Sequence, residues 1–154
     1  LPYVVILVVV ILIKTFVFTT VKVNGNSMYP TLHDADLMIL NKIEYRFDDI
    51  KRFDVVVLKY DREYLIKRII GLPGEDIEYK DNVLYVDGKK VKDVYNSIEQ
   101  DDFLVSLGDD EYFIMGDNRG DSLDSRSFGP VDRNDISGHA NFVFFPFSRW
   151  GKAK

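Results

Sequence analysis

The stretch from residue 54 to residue 70 reads Asp54-Val55-Val56-Val57-Leu58-Lys59-Tyr60-Asp61-Arg62-Glu63-Tyr64-Leu65-Ile66-Lys67-Arg68-Ile69-Ile70. Both ends are rich in β-branched residues, and the polar run 61–63 between them is typical of a β-hairpin. Lys67 lies in the second half, where Leu65 and Ile69 share its face of the strand. The sequence therefore predicts a hairpin that carries a lysine among apolar side chains.

Short strand-like runs separated by turn residues continue on both sides of this hairpin. They are residues 20–23, 37–40, 76–79, 83–86, 111–116 and 139–145. Residues 93–110 are acidic and irregular in pattern, so we interpret 76–110 as a reduced excursion of hairpin and loop. No long amphipathic helix follows residue 18. The predicted fold class is mainly β, with an all-β domain over residues 19–154.

Residues 1–18 form an apolar run in which Lys14 is the one charged residue. As a helix the run would be about 27 Å long, against about 30 Å of bilayer hydrocarbon. We predict a transmembrane anchor. A cleavable signal peptide is the alternative, but neither a basic start nor a small-residue cleavage site is visible; a buried strand is another. Because the chain begins with Leu1, we expect the natural N-terminus to be missing, and with it the flank that orients the helix.

The composition excludes several classes of function. All 25 acidic side chains follow the apolar run, and the net charge is −5. Phosphate binding needs a basic surface, so we expect no nucleic-acid partner. The chain has no cysteine, which excludes a disulfide, a thiol nucleophile and a Cys-ligated zinc.

Ser27 lies in the run Gly25-Asn26-Ser27-Met28-Tyr29-Pro30-Thr31-Leu32, directly after the apolar segment and a short strand. Glycine and proline favour a tight turn that presents a hydroxyl beside backbone N–H groups. A serine needs a base to become a nucleophile. His33 and His139 lie in no recognisable triad, whereas a lysine in an apolar site loses hydration and has a lowered pKa. Lys67 is therefore the candidate base; the alternatives are a simple turn serine and an exposed edge lysine.

The loop from residue 116 to residue 129 is the third unusual feature, because it mixes acids, arginines and serines. Its acids suggest calcium, but Arg119 and Arg126 interrupt them and the terminal glutamate of an EF-hand loop is missing. The tripeptide Arg119-Gly120-Asp121 could suggest an adhesion ligand, but such tripeptides occur by chance. We interpret the segment as a loop braced by Asp–Arg pairs and expect neither a metal nor a cofactor.

These stretches together resemble the type I signal peptidases of bacteria, in the compact Gram-positive form. The resemblance covers nearly the whole chain in order: the anchor, residues 25–32, 36–42 and 67–75, and the loop that starts at residue 116. It implies a membrane-bound serine endopeptidase that removes signal peptides from exported preproteins without a cofactor. Ser27 would be the nucleophile and Lys67 the general base.

The resemblance also assigns roles around this pair. Ser122 matches a serine that hydrogen-bonds and positions the lysine, and the Ser27 N–H would donate to the oxyanion. Some members supply a second donor from a serine two positions before the nucleophile; here that position is Gly25, so the donor is absent or comes from the backbone. The bracing residues would be Asp117 with Arg68, Asp124 with Arg126, and Met28 and Pro30 in the turn.

Substrates of this family carry small residues at the first and third positions before the cut. By similarity, the shallow apolar pockets would be lined by Val23, Leu32, Met38, Val57, Leu65 and Ile66. An aromatic rim in contact with lipid would comprise Phe16, Phe18, Phe142, Phe144, Phe145, Phe147 and Trp150. The implied partners are signal peptides and membrane lipid, with the protein-export translocon as a further candidate. The implied location is the cell membrane, single-pass, with the catalytic domain on the extracytoplasmic face.

Two other functions remain open at this point. Self-cleaving LexA-type repressors share the Ser–Lys logic, but they are cytoplasmic and carry a DNA-binding domain in place of an apolar segment. A catalytically inactive relative could serve as an export or surface-assembly factor; loss of Ser27 or Lys67 would mark such a protein, and both residues are present.

Overall fold

The computed structural model describes residues 1–153 and is mainly β, as predicted. The helices are α1 (Pro2–Phe16), α2 (Glu44–Phe47) and α3 (Ser125–Phe128). The strands are β1 (Phe18–Lys22), β2 (Leu37–Asn41), β3 (Val55–Tyr60), β4 (Glu63–Gly71), β5 (Asp76–Lys80), β6 (Val83–Val86), β7 (Lys89–Val91), β8 (Phe103–Ser106), β9 (Glu111–Met115), β10 (Val131–Asp132), β11 (Ile136–Phe145) and β12 (Gly151–Lys152). Two 3₁₀ turns, Arg133–Asp135 and Phe147–Arg149, flank β11.

The larger sheet is antiparallel and contains eight strands in the order β1-β2-β11-β3-β4-β9-β10, with β12 paired to β11. The predicted hairpin is confirmed as β3 and β4, whose register sets Val56 opposite Lys67 and Leu58 opposite Leu65. Because β4 lies between β3 and β9, Lys67 is in the interior of the sheet and 3% exposed. The alternative of an exposed edge lysine is therefore wrong.

The segment interpreted as a reduced hairpin and loop forms a second sheet, of four strands in the order β7-β6-β5-β8. The structure differs from the prediction at β8, which lies within the run described as irregular and pairs with β5. A four-residue strand among acidic residues has little local signal, and its pairing depends on a distant partner. Ile77, Tyr79 and Leu84 of this sheet pack against Phe113 and Met115 of β9, which joins the two sheets through one core.

Helix α1 is shorter than the predicted anchor, because the chain turns into β1 at Phe18. Its 15 residues correspond to roughly 22 Å. Among residues 1–153 no helix combines the length and apolar character needed to cross a membrane. The predicted transmembrane helix is therefore not supported, although α1 is apolar up to Ile13 and buries no residue against the domain.

Candidate active site

Ser27 and Lys67 lie together although 40 residues separate them in the sequence. Ser27 lies in the turn that follows β1, and Lys67 projects from the middle of β4. A hydrogen bond of 2.7 Å joins Lys67 Nζ and Ser27 Oγ. This distance places the amine within reach of the hydroxyl proton, which general-base catalysis requires.

Burial controls the charge of Lys67. Loss of hydration lowers the pKa of this lysine to about 8; Asp124 opposes that change, Arg126 adds to it, and Asp117 opposes it. A neutral lysine is therefore much more abundant near neutral pH than for a lysine in water, whose pKa is about 10.4. The site holds a base next to a hydroxyl, which is the arrangement needed to activate a serine.

The turn that carries Ser27 is held by contacts at both ends. Gly25 has φ +83°, a left-handed conformation that favours glycine, and its N–H donates to Asp34 Oδ1 at 2.8 Å. On the other side the Asn118 N–H donates to the Ser27 carbonyl at 2.9 Å. Met28 is buried in the core, whereas Pro30 is exposed. The turn is thereby fixed to the loop from residue 116.

Gly116 allows that loop to approach the nucleophile. A Cβ atom on Gly116 would lie 2.4 Å from the Ser27 carbonyl oxygen and 2.2 Å from Ser122 Oγ. Both distances are too short for a side chain, so the close contact requires glycine at this position.

Ser122 lies near the pair but makes no hydrogen bond to Lys67. Its buried hydroxyl instead lies beside the Asp124 carboxylate and helps to lower the pKa of that group. The expected bond from Ser122 that positions the lysine is therefore absent from this structure. The hydroxyl lies against Gly116, as the Ser27 carbonyl oxygen does.

Arg68 and Asp117 form a buried bidentate ion pair next to the lysine. Arg68 Nε donates to Asp117 Oδ1 at 2.8 Å, and Nη2 donates to Oδ2 at 2.6 Å. Arg68 is 1% exposed and Asp117 is 2% exposed. The Thr31 hydroxyl donates to the same carboxylate. Because Arg68 follows Lys67 in β4 and Thr31 follows the nucleophile turn, this ion pair ties the two segments together.

Asp124 and Arg126 form a second bidentate pair, with hydrogen bonds of 2.9 and 2.8 Å. Burial alone would raise the pKa of Asp124, but the hydrogen bonds from Arg126 and from the Gly116 N–H outweigh it and hold this pKa below its usual range. Arg126 also donates to Gln100 Oε1 and to the Arg119 carbonyl. The second pair thus braces the loop internally and against the segment before β8.

The predicted pocket residues separate into two groups. Val57, Leu65 and Ile66 line a cavity of about 880 Å³ that opens along β4 just before Lys67. Val23, Leu32 and Met38 are at most 3% exposed and belong to the core cluster beneath it. Leu65 and Ile66 are half-buried and accessible to a ligand, whereas Val57 is 2% exposed and shares the core cluster of the second group. The second group supports the turn and the sheet from inside.

The predicted aromatic rim is partly assembled. Trp150 packs edge-on against Phe142 and stacks near Phe147, with ring centroids 5.3 and 6.0 Å apart. Phe145, Phe147 and Trp150 are exposed, as are Phe16 and Phe18 at the junction of α1 and β1, whereas Phe142 and Phe144 are half-buried.

Sequence reasoning missed three residues that hold the site: Asn118, Thr31 and Asp34. Asn118 donates two hydrogen bonds to the nucleophile turn, to the Ser27 and Asn26 carbonyls. Thr31 donates to Asp117, and Asp34 accepts from the Gly25 N–H. Thr31 lies in the run 25–32 and Asn118 in the loop 116–129, so their positions in these two motifs could have identified them. Asp34 is exposed and carries no such signal.

A lysine of lowered pKa bonded to a serine in an antiparallel β domain indicates a serine hydrolase, and comparison with known proteins narrows this class. The family model described as signal peptidase, peptidase S26, matches residues 1–145. Signal peptidase I of Bacillus amyloliquefaciens is 41% identical over 160 aligned residues, covering 96% of this chain and 86% of that protein. Signal peptidase I S of Bacillus subtilis (strain 168) is 40% identical over 159 aligned residues, which cover 94% of this chain and 86% of that protein.

Structural comparison agrees with the sequence comparison. The crystal structure of a signal peptidase I from Enterococcus faecalis V583 is similar, with 31% identity and a TM-score of 0.54. The match covers 60% of this chain and 97% of that one. The chain belongs to the signal peptidase family, peptidase S26, and is therefore a peptidase.

Proposed function

We propose that this chain removes N-terminal signal peptides from exported preproteins, with Ser27 as nucleophile and Lys67 as general base. The observation that carries this proposal is the 2.7 Å hydrogen bond between Ser27 Oγ and a buried lysine. Membership of the signal peptidase family supports the substrate class. All relatives named above are signal peptidases. None of them supports the alternative of a self-cleaving LexA-type repressor.

In the proposed reaction neutral Lys67 takes the proton of Ser27 while Oγ attacks the carbonyl carbon of the peptide bond. The tetrahedral intermediate collapses, and protonated Lys67 gives its proton to the leaving amine. An acyl-enzyme remains on Ser27. Water then attacks the ester with Lys67 as base, which releases the carboxyl end of the signal peptide and restores the hydroxyl.

The backbone N–H of Ser27 is the proposed oxyanion donor. No acceptor within residues 1–153 takes this N–H, so it is free to bind a developing negative charge. The Gly25 N–H already donates to Asp34 and would have to leave that carboxylate in order to serve. A second oxyanion donor from the Gly25 N–H therefore requires its hydrogen bond to Asp34 to break.

The cavity along β4 is the proposed site for the residues before the cut. Val57, Leu65 and Ile66 give it apolar walls next to Lys67. Its other walls come from Val21 and Leu40, and its charged residues are Lys22, Lys42 and Glu63. Small apolar side chains in an extended substrate would fit such a cavity, in line with the preference that the family resemblance implies.

We further propose that α1 attaches the chain to a membrane as a single segment, with the β domain on the extracytoplasmic face. The helix is apolar from Pro2 to Ile13, carries Lys14 and Thr15 only in its last turn, and packs no side against the domain, which is typical of a segment covered by lipid. The exposed aromatic residues Phe16 and Phe18 continue its apolar surface toward the site. Lipid and the export translocon are thus the proposed partners besides the preprotein.

The test is cleavage of a preprotein whose signal ends in Ala-x-Ala, reconstituted with lipid, by wild type, Ser27→Ala and Lys67→Ala. Cutting at that site by wild type alone is the expected result. Lys67→Arg is a matched control, because it keeps a cation of similar length that cannot become neutral; it should also be inactive. Cleavage by Ser27→Ala would contradict the proposed mechanism. Folded wild type that binds the preprotein without cutting would favour an inactive export or assembly factor.

A further inference from the structure

Segment 93–95, which follows β7 of the smaller sheet, contacts two buried arginines that hold the loop from residue 116. Asp93 and Tyr95 are half-buried, whereas Val94 between them is 63% exposed. The side chains of Asp93 and Tyr95 therefore face the protein, and that of Val94 faces away from it. The mechanism proposed above gives this segment no role.

Asp93 holds the first of these arginines, Arg119. Arg119 Nη1 donates to Asp93 Oδ2 at 2.7 Å and to Tyr79 Oη at 3.0 Å, and the Tyr79 hydroxyl donates to the same carboxylate. The Arg119 side chain is 0% exposed and that of Asp93 is 3% exposed. Burial alone would lower the pKa of Arg119, but its hydrogen bonds to Asp93 and Tyr79 outweigh that effect and keep this pKa above its usual value. Asp93 is therefore the carboxylate that compensates a fully buried cation.

Arg119 connects this ion pair to the nucleophile turn. Its Nε donates to the Gly116 carbonyl at 2.9 Å. The Gly116 backbone lies against the Ser27 carbonyl, and two positions later the Asn118 N–H donates to that carbonyl at 2.9 Å. Because a guanidinium is planar and holds its donors in a fixed fork, the position of Asp93 limits where Nε can meet Gly116. Asp93 thus acts on the loop through Arg119.

Tyr95 holds the second arginine, Arg68. The centre of the Tyr95 ring lies 3.5 Å from the Arg68 guanidinium carbon, which is a cation–π contact. Arg68 is the partner of Asp117 in the buried ion pair of the same loop. The Tyr95 N–H also donates to Asp93 Oδ1 at 3.0 Å. One short segment therefore contacts both arginines.

We propose that Asp93 and Tyr95 are positioning residues for Ser27, which they hold in place through Arg119 and Arg68. The carboxylate of Asp93 and the ring face of Tyr95 both complement a cation. The excursion formed by the smaller sheet thereby supports the active site. The expected effect on cleavage rests on the proposed function, whereas the expected effect on the loop does not.

Substrate binding should not depend on this segment. All residues that line the cavity along β4 lie outside segment 76–110. We therefore expect changes at Asp93 and Tyr95 to lower kcat and to leave KM unchanged. A loss of the cavity itself would instead raise KM.

Kinetics of the full chain with a signal-peptide substrate give the first test. Tyr95→Leu removes the aromatic ring and Tyr95→Phe keeps it, so the second variant is the matched control. Displacement of a reacting group by about 1 Å costs about a hundredfold in rate, and we expect Asp93→Asn and Tyr95→Leu to lower kcat by at least about tenfold. Tyr95→Phe and Val94→Ala should keep the wild-type kcat.

Amide exchange tests the connection to the loop without turnover. The reporter is the Asn118 N–H, which is bonded to the Ser27 carbonyl, and the amides of β3 report on global unfolding. We expect exchange at Asn118 to become about tenfold faster in Asp93→Asn and Tyr95→Leu while β3 stays protected. Where Asp93→Asn does not fold, Tyr79→Phe replaces it, because this change removes only the hydroxyl bonded to that carboxylate.

The two measurements separate positioning from simple stabilisation. A lower melting temperature with wild-type kcat and wild-type exchange at Asn118 would show that the segment only stabilises the fold, and would overturn the proposal. A loss of protection at Asn118 that is equalled in β3 marks global unfolding and would overturn it as well. If wild type cleaves no signal peptide, the proposed function fails, and exchange at Asn118 alone decides the role of Asp93 and Tyr95.

Discussion

Lys67 is the residue whose properties depend most on the fold around it. It lies inside an eight-stranded sheet, and the resulting loss of hydration lowers its pKa to about 8. Asp124 and Arg126 modify that value in opposite directions. The proposed base is therefore adjusted by residues of the braced loop as well as by burial.

The pH dependence of cleavage should report this adjustment. We expect kcat/KM to rise with pH through about 8, because only neutral Lys67 can take the Ser27 proton. Asp124→Asn removes a carboxylate that raises the pKa of Lys67 and leaves Arg126 unpaired, so the acid limb should move to lower pH. Asp121→Asn changes an exposed acid of the same loop and is the control. An acid limb that is identical in all three proteins would contradict the assignment of Lys67.

The same lysine should lower the stability of the folded protein. Its pKa falls from 10.5 to about 8 on folding, so between these pH values the unfolded chain binds more protons and stability rises with pH. Below pH 8 the full penalty applies, which for this shift is roughly 3 kcal/mol. We expect Lys67→Met to raise the free energy of unfolding at pH 7 by up to that amount, and by much less at pH 10.5. Urea unfolding at both pH values measures this; an equal gain at both would contradict the burial argument.

At the scale of elements, the contact between the nucleophile turn and the loop from residue 116 assembles the site. The Asn118 N–H bonds the Ser27 carbonyl, and Gly116 lets the two backbones approach. The Arg68–Asp117 pair and Thr31 add a second connection. The position of Ser27 thus depends on a segment some ninety residues later in the chain.

Gly116→Ala tests this connection. Its Cβ would lie 2.4 Å from the Ser27 carbonyl oxygen, so either the turn or the loop must move. A displacement near 1 Å costs about a hundredfold in rate, and we expect a loss of that order in kcat/KM. Gly120→Ala in the same loop would meet only the tip of Ile98, at 3.3 Å, and is the matched control. Equal activity of the two variants would show that the close contact does not position Ser27.

Sequence patterns predicted most elements, including β5 and β6 of the smaller sheet, but missed β8. The runs around β3, β4 and β9 are strongly β-branched or aromatic, and the structure has strands there. Strand β8 was missed because four residues in an acidic segment become a strand only when β5 lies beside them. The length of α1 was overestimated because hydropathy alone does not mark where an apolar helix passes into an apolar strand.

At the scale of the whole molecule, an apolar helix projects from an acidic β domain. None of the side chains of α1 is buried, whereas the domain has three buried hydrophobic clusters of its own. Two hydrogen bonds from Lys42 connect the C-terminal end of α1 to the domain. The Lys42 N–H donates to the Val17 carbonyl, and Lys42 Nζ donates to the Thr15 carbonyl. In the proposed function, membrane lipid covers the exposed side chains of α1.

Val8→Arg should weaken membrane attachment. Val8 lies near the middle of α1, where an arginine costs about 2.5–3.5 kcal/mol in lipid. We expect flotation with phospholipid vesicles to fall sharply for this variant and to persist for Val8→Leu, while cleavage of a short soluble peptide is the same for both. Equal flotation of wild type and Val8→Arg would contradict the proposed role of α1.

The sequence by itself determined the family, the mainly β class, and the identity of Ser27 and Lys67 as the reactive candidates. These depend on local composition and on motifs that are contiguous in the chain. Only the tertiary structure decided that Ser27 Oγ and Lys67 Nζ meet at 2.7 Å, that Ser122 lies beside Asp124 and Gly116, and that β8 pairs with β5. The physical reason is that hydrogen bonds, burial and lowered pKa values depend on neighbours brought from distant parts of the chain.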